Sequence, residues 1–423
     1  MLESFLKQYF RQTAGAVLPI AALLLPVTLG MTALGVDTGY WVMNKRNLQT
    51  AADAAAMAAA FEIANGFSEK AEFAANKIAM ENGYDPVDGD VLLMQTYENP
   101  NFTQSVNVQI NYADETWFSS YFIDDMNDVV AAEATIDLSG ASFCMLALDE
   151  SANDAISTSG TVLINAENCG LASNSDSDTS FRFNGGVDVN IDNLHTRGGY
   201  DIVGSANLNV NRVYTESVKI PDPYEDLETP EFTPCAKNDI KKNSLSIGGS
   251  DNLTLSPGVY CGGIDISGSG DINFEPGVYI IDSGDFSISS TGGMYGEGVS
   301  FILTSSTGSY GNIAISGSRE MVFSAPAEGD EMEGVLFYQD RNAPQGNGAN
   351  MTNKITGSNE IFLDGVVYTP SRELTIGGSV GVDSPCTRMI ARTIVLSGSP
   401  SVGNNCDDNA AKKIASISVN LTR

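Results

Sequence analysis

Residues 245–284 read LSIGGSDNLTLSPGVYCGGIDISGSGDINFEPGVYIIDSG, and this stretch decides the fold. Apolar and polar residues alternate for a few positions, then a Gly-Ser or Pro-Gly pair turns the chain. Pro-Gly-Val-Tyr occurs at 257–260 and again at 276–279, 19 residues on. Outward from here, Gly-Ser corners recur at 249, 268, 317, 357, 378 and 398. The last three lie 21 and 20 residues apart, and 317 to 357 is two such steps. Self-similarity at about 20 residues signals a stacked solenoid. The alternation makes each coil β, with no helical segment. The expectation is a parallel β-helix over residues 141–406, with a less regular repeat before residue 245.

The six cysteines fit this frame. Cys144 and Cys169, Cys235 and Cys261, Cys386 and Cys406 are 25, 26 and 20 residues apart, about one coil each. Adjacent strands lie ~4.8 Å apart, within the Cα separation of ~4.4–6.8 Å that a disulfide accepts. Sequential pairing between neighbouring coils follows as an expectation. The even count and lack of any CxxC favour structural disulfides in an oxidising compartment over a zinc ribbon. Residues 221–234, PDPYEDLETPEFTP, hold four Pro and read as an extended loop or a domain seam.

At the other end of the chain, residues 13–36 (TAGAVLPIAALLLPVTLGMTALGV) carry no charge. A helix of that length crosses a hydrocarbon core of roughly 30 Å. A cleaved signal peptide would have a shorter apolar region of ~7–15 residues. Residues 1–12 form a short cytoplasmic tail. Lys7 and Arg11 nearly balance Lys45 and Arg46, so the cysteines and the acidic bulk set the topology, with the C-terminal side exported. Tyr40 and Trp41 sit where an interfacial aromatic anchor belongs. Leu48, Ala51, Ala52, Ala55, Ala56, Ala59 and Ala60 then repeat at helical spacing, so the helix continues through residues 37–65. An Ala stripe admits close packing, either with other helices of an assembly or with the chain's own downstream domain.

These residues carry a resemblance. Ala14-Gly15-Ala16-Val17, the Asp37-Thr38-Gly39-Tyr40-Trp41 that ends the apolar run, and Lys45-Arg46-Asn47-Leu48-Gln49-Thr50-Ala51-Ala52-Asp53-Ala54-Ala55-Ala56 resemble the amino-terminal signature of TadE/TadG-like Flp (Tad) pilus-assembly proteins, over about residues 10–65. The resemblance implies a role in the machinery that builds adhesive pili. Pilin-like members processed by prepilin peptidase carry Glu at the fifth place after the cleavage Gly. Counted from Gly15, that place is Ile20, which implies an uncleaved TadG-like anchor.

Residues 68–80 read as a second helix, closed by Asn82-Gly83. Strands are expected at 91–96, 105–112 and 129–138, with a helix at 115–123. Residues 66–140 thus form a small α+β module, and residues 407–423 a C-terminal tail or strand.

A formal net charge of −31 without any basic stripe argues against nucleic-acid binding. His195 is the only histidine, so any Ser-His-Asp or Cys-His triad must be built on it, and no GxSxG supports one. Carboxylate-only glycan chemistry would draw on Asp124-Asp125, Asp407-Asp408 or Asp265. A chain this acidic offers such pairs by chance. Asn174-Ser175-Asp176-Ser177-Asp178 resembles an oxygen-ligand loop but lacks the EF-hand Gly and closing Glu. Glu328-Gly329-Asp330-Glu331-Met332-Glu333 is a second acidic knot. The residues Phe337-Tyr338-Gln339-Asp340-Arg341 and the loop 342–353 form either a binding rim or a polar turn.

The expectation is a mainly β, single-pass protein of the bacterial inner membrane, its C-terminal portion in the periplasm or outside. It has no catalytic, cofactor or metal residues. Its partners are inner-membrane and pilus-assembly proteins, met through the N-terminal helix, with a surface glycan or protein as ligand of the β-helix. The alternative is a cell-surface β-helix that binds or cleaves carbohydrate.

Overall fold

The structure, a computed structural model, describes residues 17–422 except 65–66, 87–90, 99–103, 115–116, 120–125, 138–140, 167–168, 237, 239, 241–243, 318–319, 347–350, 358–360, 379–380, 385, 400 and 405–410. The chain divides into two compact units, Met1–Leu138 with Ser418–Arg423, and Ser139–Ile417.

In the first unit, the apolar run and the Ala-rich stretch form one helix, α1 (Val17–Ala64), with Pro26 inside it. Its early side chains have no protein neighbour to cover them; Leu23 is 74 % exposed and Met31 70 %. This part is long and apolar enough to cross a membrane. Beyond Leu48 the burial reverses. Ala51, Ala52, Ala55, Ala56, Ala59 and Ala60 are fully buried. Methyl side chains let the backbone come close to α2 (Ser68–Glu81), which presents Ala71, Ala75 and Ala79. The same helix packs on an antiparallel sheet of β1 (Val91–Glu98), β2 (Gln104–Asp114) and β3 (Met126–Asp137). Along β2, Val106, Val108, Ile110 and Tyr112 alternate inward, the period-2 signature of a half-covered sheet. The C-terminal strand Ser418–Thr422 completes this sheet, antiparallel to β3. Of the helix expected at 115–123, only residues 117–119 are described, and they form a bend and a tight turn.

The second unit is a parallel β-solenoid with three sheets. Each step between coils is in register and parallel. In the first sheet Leu245–Ile247 pairs with Ile264–Ile266, and the stack continues through Phe286–Ile288, Ile313–Ile315, Thr352–Gly357 and Ile361–Gly378 to Thr387–Gly398. It does not stop there. Ile394 pairs with Ile156, Met389 with Met145 and Ser401 with Leu163. The stack then rises through Phe181–Gly185 and ends at Tyr200–Gly204. In space the solenoid therefore runs 245 to 404 and then 142 to 214. The chain enters and leaves it at its middle, and residues 215–244 join its two ends. Entry and exit lie side by side, since Ile414–Ala415 pairs antiparallel with Phe143 and Ser142.

Phe181, Phe183, Phe286, Phe301, Phe323 and Phe337 fill the interior, each at most 1 % exposed. Glycines make the corners. Gly160, Gly185, Gly378 and Gly398 stack in one column at positive φ. A Cβ on Gly160 would lie 2.3 Å from the Gly398 carbonyl oxygen below it, so only Gly fits. This steric demand is what wrote the Gly-Ser repeat into the sequence.

Candidate functional site

The third sheet explains the link 215–244. Its central strands Val299–Thr304 and Val335–Gln339 are buried at every position. Strands buried on both faces lose the polar alternation. One face belongs to the interior. Against the other lie Ile220, Tyr224, Leu227 and Phe232 of the link, packed on Leu146, Ala172, Ile280, Ile302, Tyr338, Tyr368 and Ile390. The Pro- and acid-rich segment is thus an extended strap that runs down the solenoid inside the second unit.

Polar contacts fix the strap rung by rung. The buried ring of His195 meets the Val218 carbonyl at 2.9 Å through Nε2. Asn174 Nδ2 donates to the Ile220 carbonyl at 2.9 Å, and its Oδ1 accepts from the Ile220 amide at 2.8 Å. Lys219 reaches Glu150 at 2.6 Å. Asp222 Oδ2 accepts from Arg341 Nη2 and from the Tyr368 hydroxyl, both at 2.8 Å. Tyr338 donates its hydroxyl to the Leu227 carbonyl at 2.9 Å. At the far end the Cys235 amide donates to Asp282 Oδ2 at 2.9 Å, and Cys235 is bonded to Cys261.

Burial sets the protonation states. It holds His195 below its ordinary pKa, with the Val218 contact a smaller opposing effect. Burial pushes the Tyr224 phenol up to about 12 and Tyr368 higher still, so both stay neutral; Tyr368 donates to Asp222, and Tyr224 accepts from the Lys412 amide at 2.8 Å. Burial opposes the charge on Asp282. Hydrogen bonds from Ser306, Cys235 and Ser283 outweigh it, and its carboxyl stays below the usual range.

Between strap and solenoid lies a groove of about 960 Å³, lined by Glu225, Asp226, Glu228, Glu231 and Asp340 among others. Beside it a second hollow of about 560 Å³ mixes Arg392, Lys219 and Arg341 with Asp149, Glu150 and Asp222. These charges compensate one another: Arg392 meets Asp149 at 2.6 Å. The arrangement presents a fixed, charged surface.

The structure places the remaining sequence candidates as follows. Cys144 is bonded to Cys169 between neighbouring coils. Cys235 is not on a coil, so its bond to Cys261 ties strap to solenoid rather than coil to coil. Cys386 is disulfide-bonded; Cys406 lies outside the described residues. So do Asp124, Asp125, Asp407 and Asp408. Asp265 points outward, with Ser246 and Ser287 as its cross-strand neighbours. Asn174 spends its side chain on the strap, and Ser175 and Ser177 bond to Ala152 and Asn153, so that loop is a structural clasp. In the second knot Glu333 accepts from the Gly329 amide at 2.8 Å, while Met332 packs into the cluster beneath the strap. Residues 337–341 supply both rim and turn: Tyr338, Asp340 and Arg341 line the groove, and the Ala343 amide donates to the Asp340 carbonyl at 3.0 Å to close a turn. Phe337 faces the interior, Tyr338 faces the strap, and Arg341 is bound to Asp222. Among the described residues, no group of three His, Cys, Asp or Glu side chains is placed to hold a metal ion.

The first unit carries its own site where α1 leaves the apolar run. Asp37, 2 % exposed, accepts from the Phe118 and Ser119 amides at 3.0 and 2.6 Å. Tyr40 stacks on Trp117 with centroids 5.5 Å apart. Trp117 and Phe118 remain 56 % and 50 % exposed beside the end of the apolar run, the kind of residue that suits a membrane–water boundary. Sequence reading found Tyr40 and Trp41 but missed Trp117, whose signal is tertiary. The Ala stripe is wholly used by α2 and the sheet, which leaves the exposed stretch before Asp37 for lipid or for other helices.

Residues 15–62 match the family model described as putative Flp pilus-assembly TadE/G-like. Comparison with curated proteins and with solved structures gives no match.

Proposed function

We propose that this chain is a non-enzymatic, membrane-anchored component of Flp (Tad) pilus assembly of the TadG type. The observation that carries the reading is the family match over residues 15–62, which coincides with α1 and ends where its packed Ala face ends. The anchor holds the protein among the membrane-embedded parts of the machine through the uncovered face around Leu23 to Val36. The disulfides at Cys144–Cys169 and Cys235–Cys261 suit an exported solenoid in an oxidising compartment. The solenoid gives that compartment a stiff surface for contact with a protein or glycan, and adhesion is the use such a surface has in a pilus system.

Deletion of the coding sequence in its host, with pili counted by electron microscopy, tests this. The expected result is loss of Flp pili or of pilus-dependent adhesion, restored by the full chain and not by a chain lacking residues 13–36. Normal piliation and adhesion in the deletion strain would end the proposal. Proximity labelling from the anchored chain should mark pilus-assembly proteins of the inner membrane.

A further inference from the structure

Both ends of the solenoid are open. At one end Tyr200, Ile202 and Val213 occupy inward columns, yet are 41 %, 44 % and 46 % exposed. One rung in, the same columns hold Phe181, Phe183 and Leu194, at most 1 % exposed. At the other end Leu253 is 41 % exposed, while Ile272 next to it in the column is 1 % exposed. Leu208 and Val210 at the first end, and Leu245, Ile247 and Leu255 at the second, pack on the core from one side only. The outer strands at each end also leave a row of backbone donors and acceptors without a neighbouring strand among the described residues.

The two ends match each other. The registers chain Tyr200 to Leu245, Ile202 to Ile247 and Gly204 to Gly249 as opposite limits of the same columns. Strand direction is shared throughout, so the rung missing below Leu245 is a rung of the kind that ends at Gly204. The corner glycines point the same way. Along the stack, the Cβ position of Gly160, Gly185, Gly204, Gly268, Gly378 and Gly398 faces the carbonyl oxygen of the corner beneath. Gly249 has the same corner role at positive φ, and its Cβ position faces nothing within 4 Å. Space for one more corner carbonyl is therefore built into the last coil.

We propose that the protein associates head to tail, the Tyr200–Gly204 end of one copy docking under the Leu245–Ile247 end of the next. The joint continues three parallel sheets across two molecules. It stacks Tyr200 on Leu245, Ile202 on Ile247 and the Gly204 carbonyl under Gly249. Such a contact is heterologous and does not close on itself, so it builds open filaments rather than dimers. The chain enters and leaves the solenoid at its middle coils, so neither end is its point of attachment to the rest of the chain. The copies carry a formal net charge of −31 each, so salt that screens this repulsion favours the filament. The proposal stands independently of the pilus reading.

The test uses the full chain in detergent. Asp201 and Ser246 end one outward column, so the double variant Asp201→Cys with Ser246→Cys brings two thiols together only across the joint. Under a mild oxidant, the expected result on a non-reducing gel is a ladder extending past the dimer and growing with salt. Dimerisation through the membrane helix alone gives no such ladder. Adding Ile202→Lys or Leu253→Lys, at surface positions whose loss leaves the inner rungs intact, should abolish the ladder. Mixing the two blocked chains should restore dimers and nothing larger. A monomeric double-cysteine chain at all salt concentrations overturns the proposal, and so does a ladder that survives either lysine.

Discussion

At the scale of single residues, His195, Asn174 and Arg341, which sequence reading raised as candidate chemistry, hold the strap. His195 is the clearest case. It lies between the rings of Phe143 and Tyr214, with Val218 on the strap as its hydrogen-bond partner. Its neutral ring donates there, and burial makes protonation costly. The unfolded chain takes up this proton near the ordinary value of 6.5, and the native chain only at lower pH. The stabilisation is therefore complete above 6.5 and falls as pH drops from there to the native pKa. The expected outcome is a fall in melting temperature of the full chain across that window, with proteolysis first in residues 215–221. His195→Gln keeps a donor and removes the titration, so its melting temperature should vary less with pH there. An equal slope in the two proteins would refute the assignment. Nothing around a lone His in sequence distinguishes a clasp from a catalyst. The distinction lies in Val218, which reaches it only after the chain has turned back.

Secondary-structure elements divide into those whose signal is local and those whose signal is not. At Gly268, Gly378 and Gly398 a Cβ would clash with the rung beneath, and that demand recurs often enough, with Ser290 at one corner, to make the β-solenoid legible in residues 245–404. The Ala face of α1 was equally legible. Its partner was not, since methyl side chains invite any close backbone. The buried Ala51, Ala55 and Ala59 assign it to α2 and the small sheet. Ala55→Leu should accordingly overpack this contact, at about 1–3 kcal/mol. Thr50→Leu, on the exposed side of the same helix, should stay within about 0.5 kcal/mol. Denaturant unfolding of the full chain in detergent, followed by a probe in the first unit, checks both. Equal small effects would mean that the Ala face is loosely filled and free for other helices.

For the whole molecule, coil order in space differs from coil order in sequence. A repeat records the length of a coil and its corners, and carries no mark of which coil it lands on. The strap was visible as a Pro- and acid-rich interruption, while its route needed the outer face of the third sheet. This topology makes a specific mechanical prediction. Residues 142–214 touch the rest of the solenoid through Met145, Ile156 and Leu163 pairing with Met389, Ile394 and Ser401. Neither disulfide seen in full, Cys144–Cys169 or Cys235–Cys261, crosses a cut at residue 228. A protease site placed there and cleaved in the folded chain therefore leaves two fragments held by three parallel sheets, the strap's flanking contacts and the C-terminal pairings on β3 and Phe143. They should co-elute as one particle in detergent and keep their β-sheet circular dichroism. Denaturant alone, without reductant, should part them. In a chain ending at residue 410, which lacks the pairings of Ile414–Ala415 and Ser418–Thr422, the cut fragments should still co-elute, whereas two separate solenoids joined only at the strap would part at once in native buffer. Size-exclusion chromatography after cleavage decides between the two arrangements without any new structure.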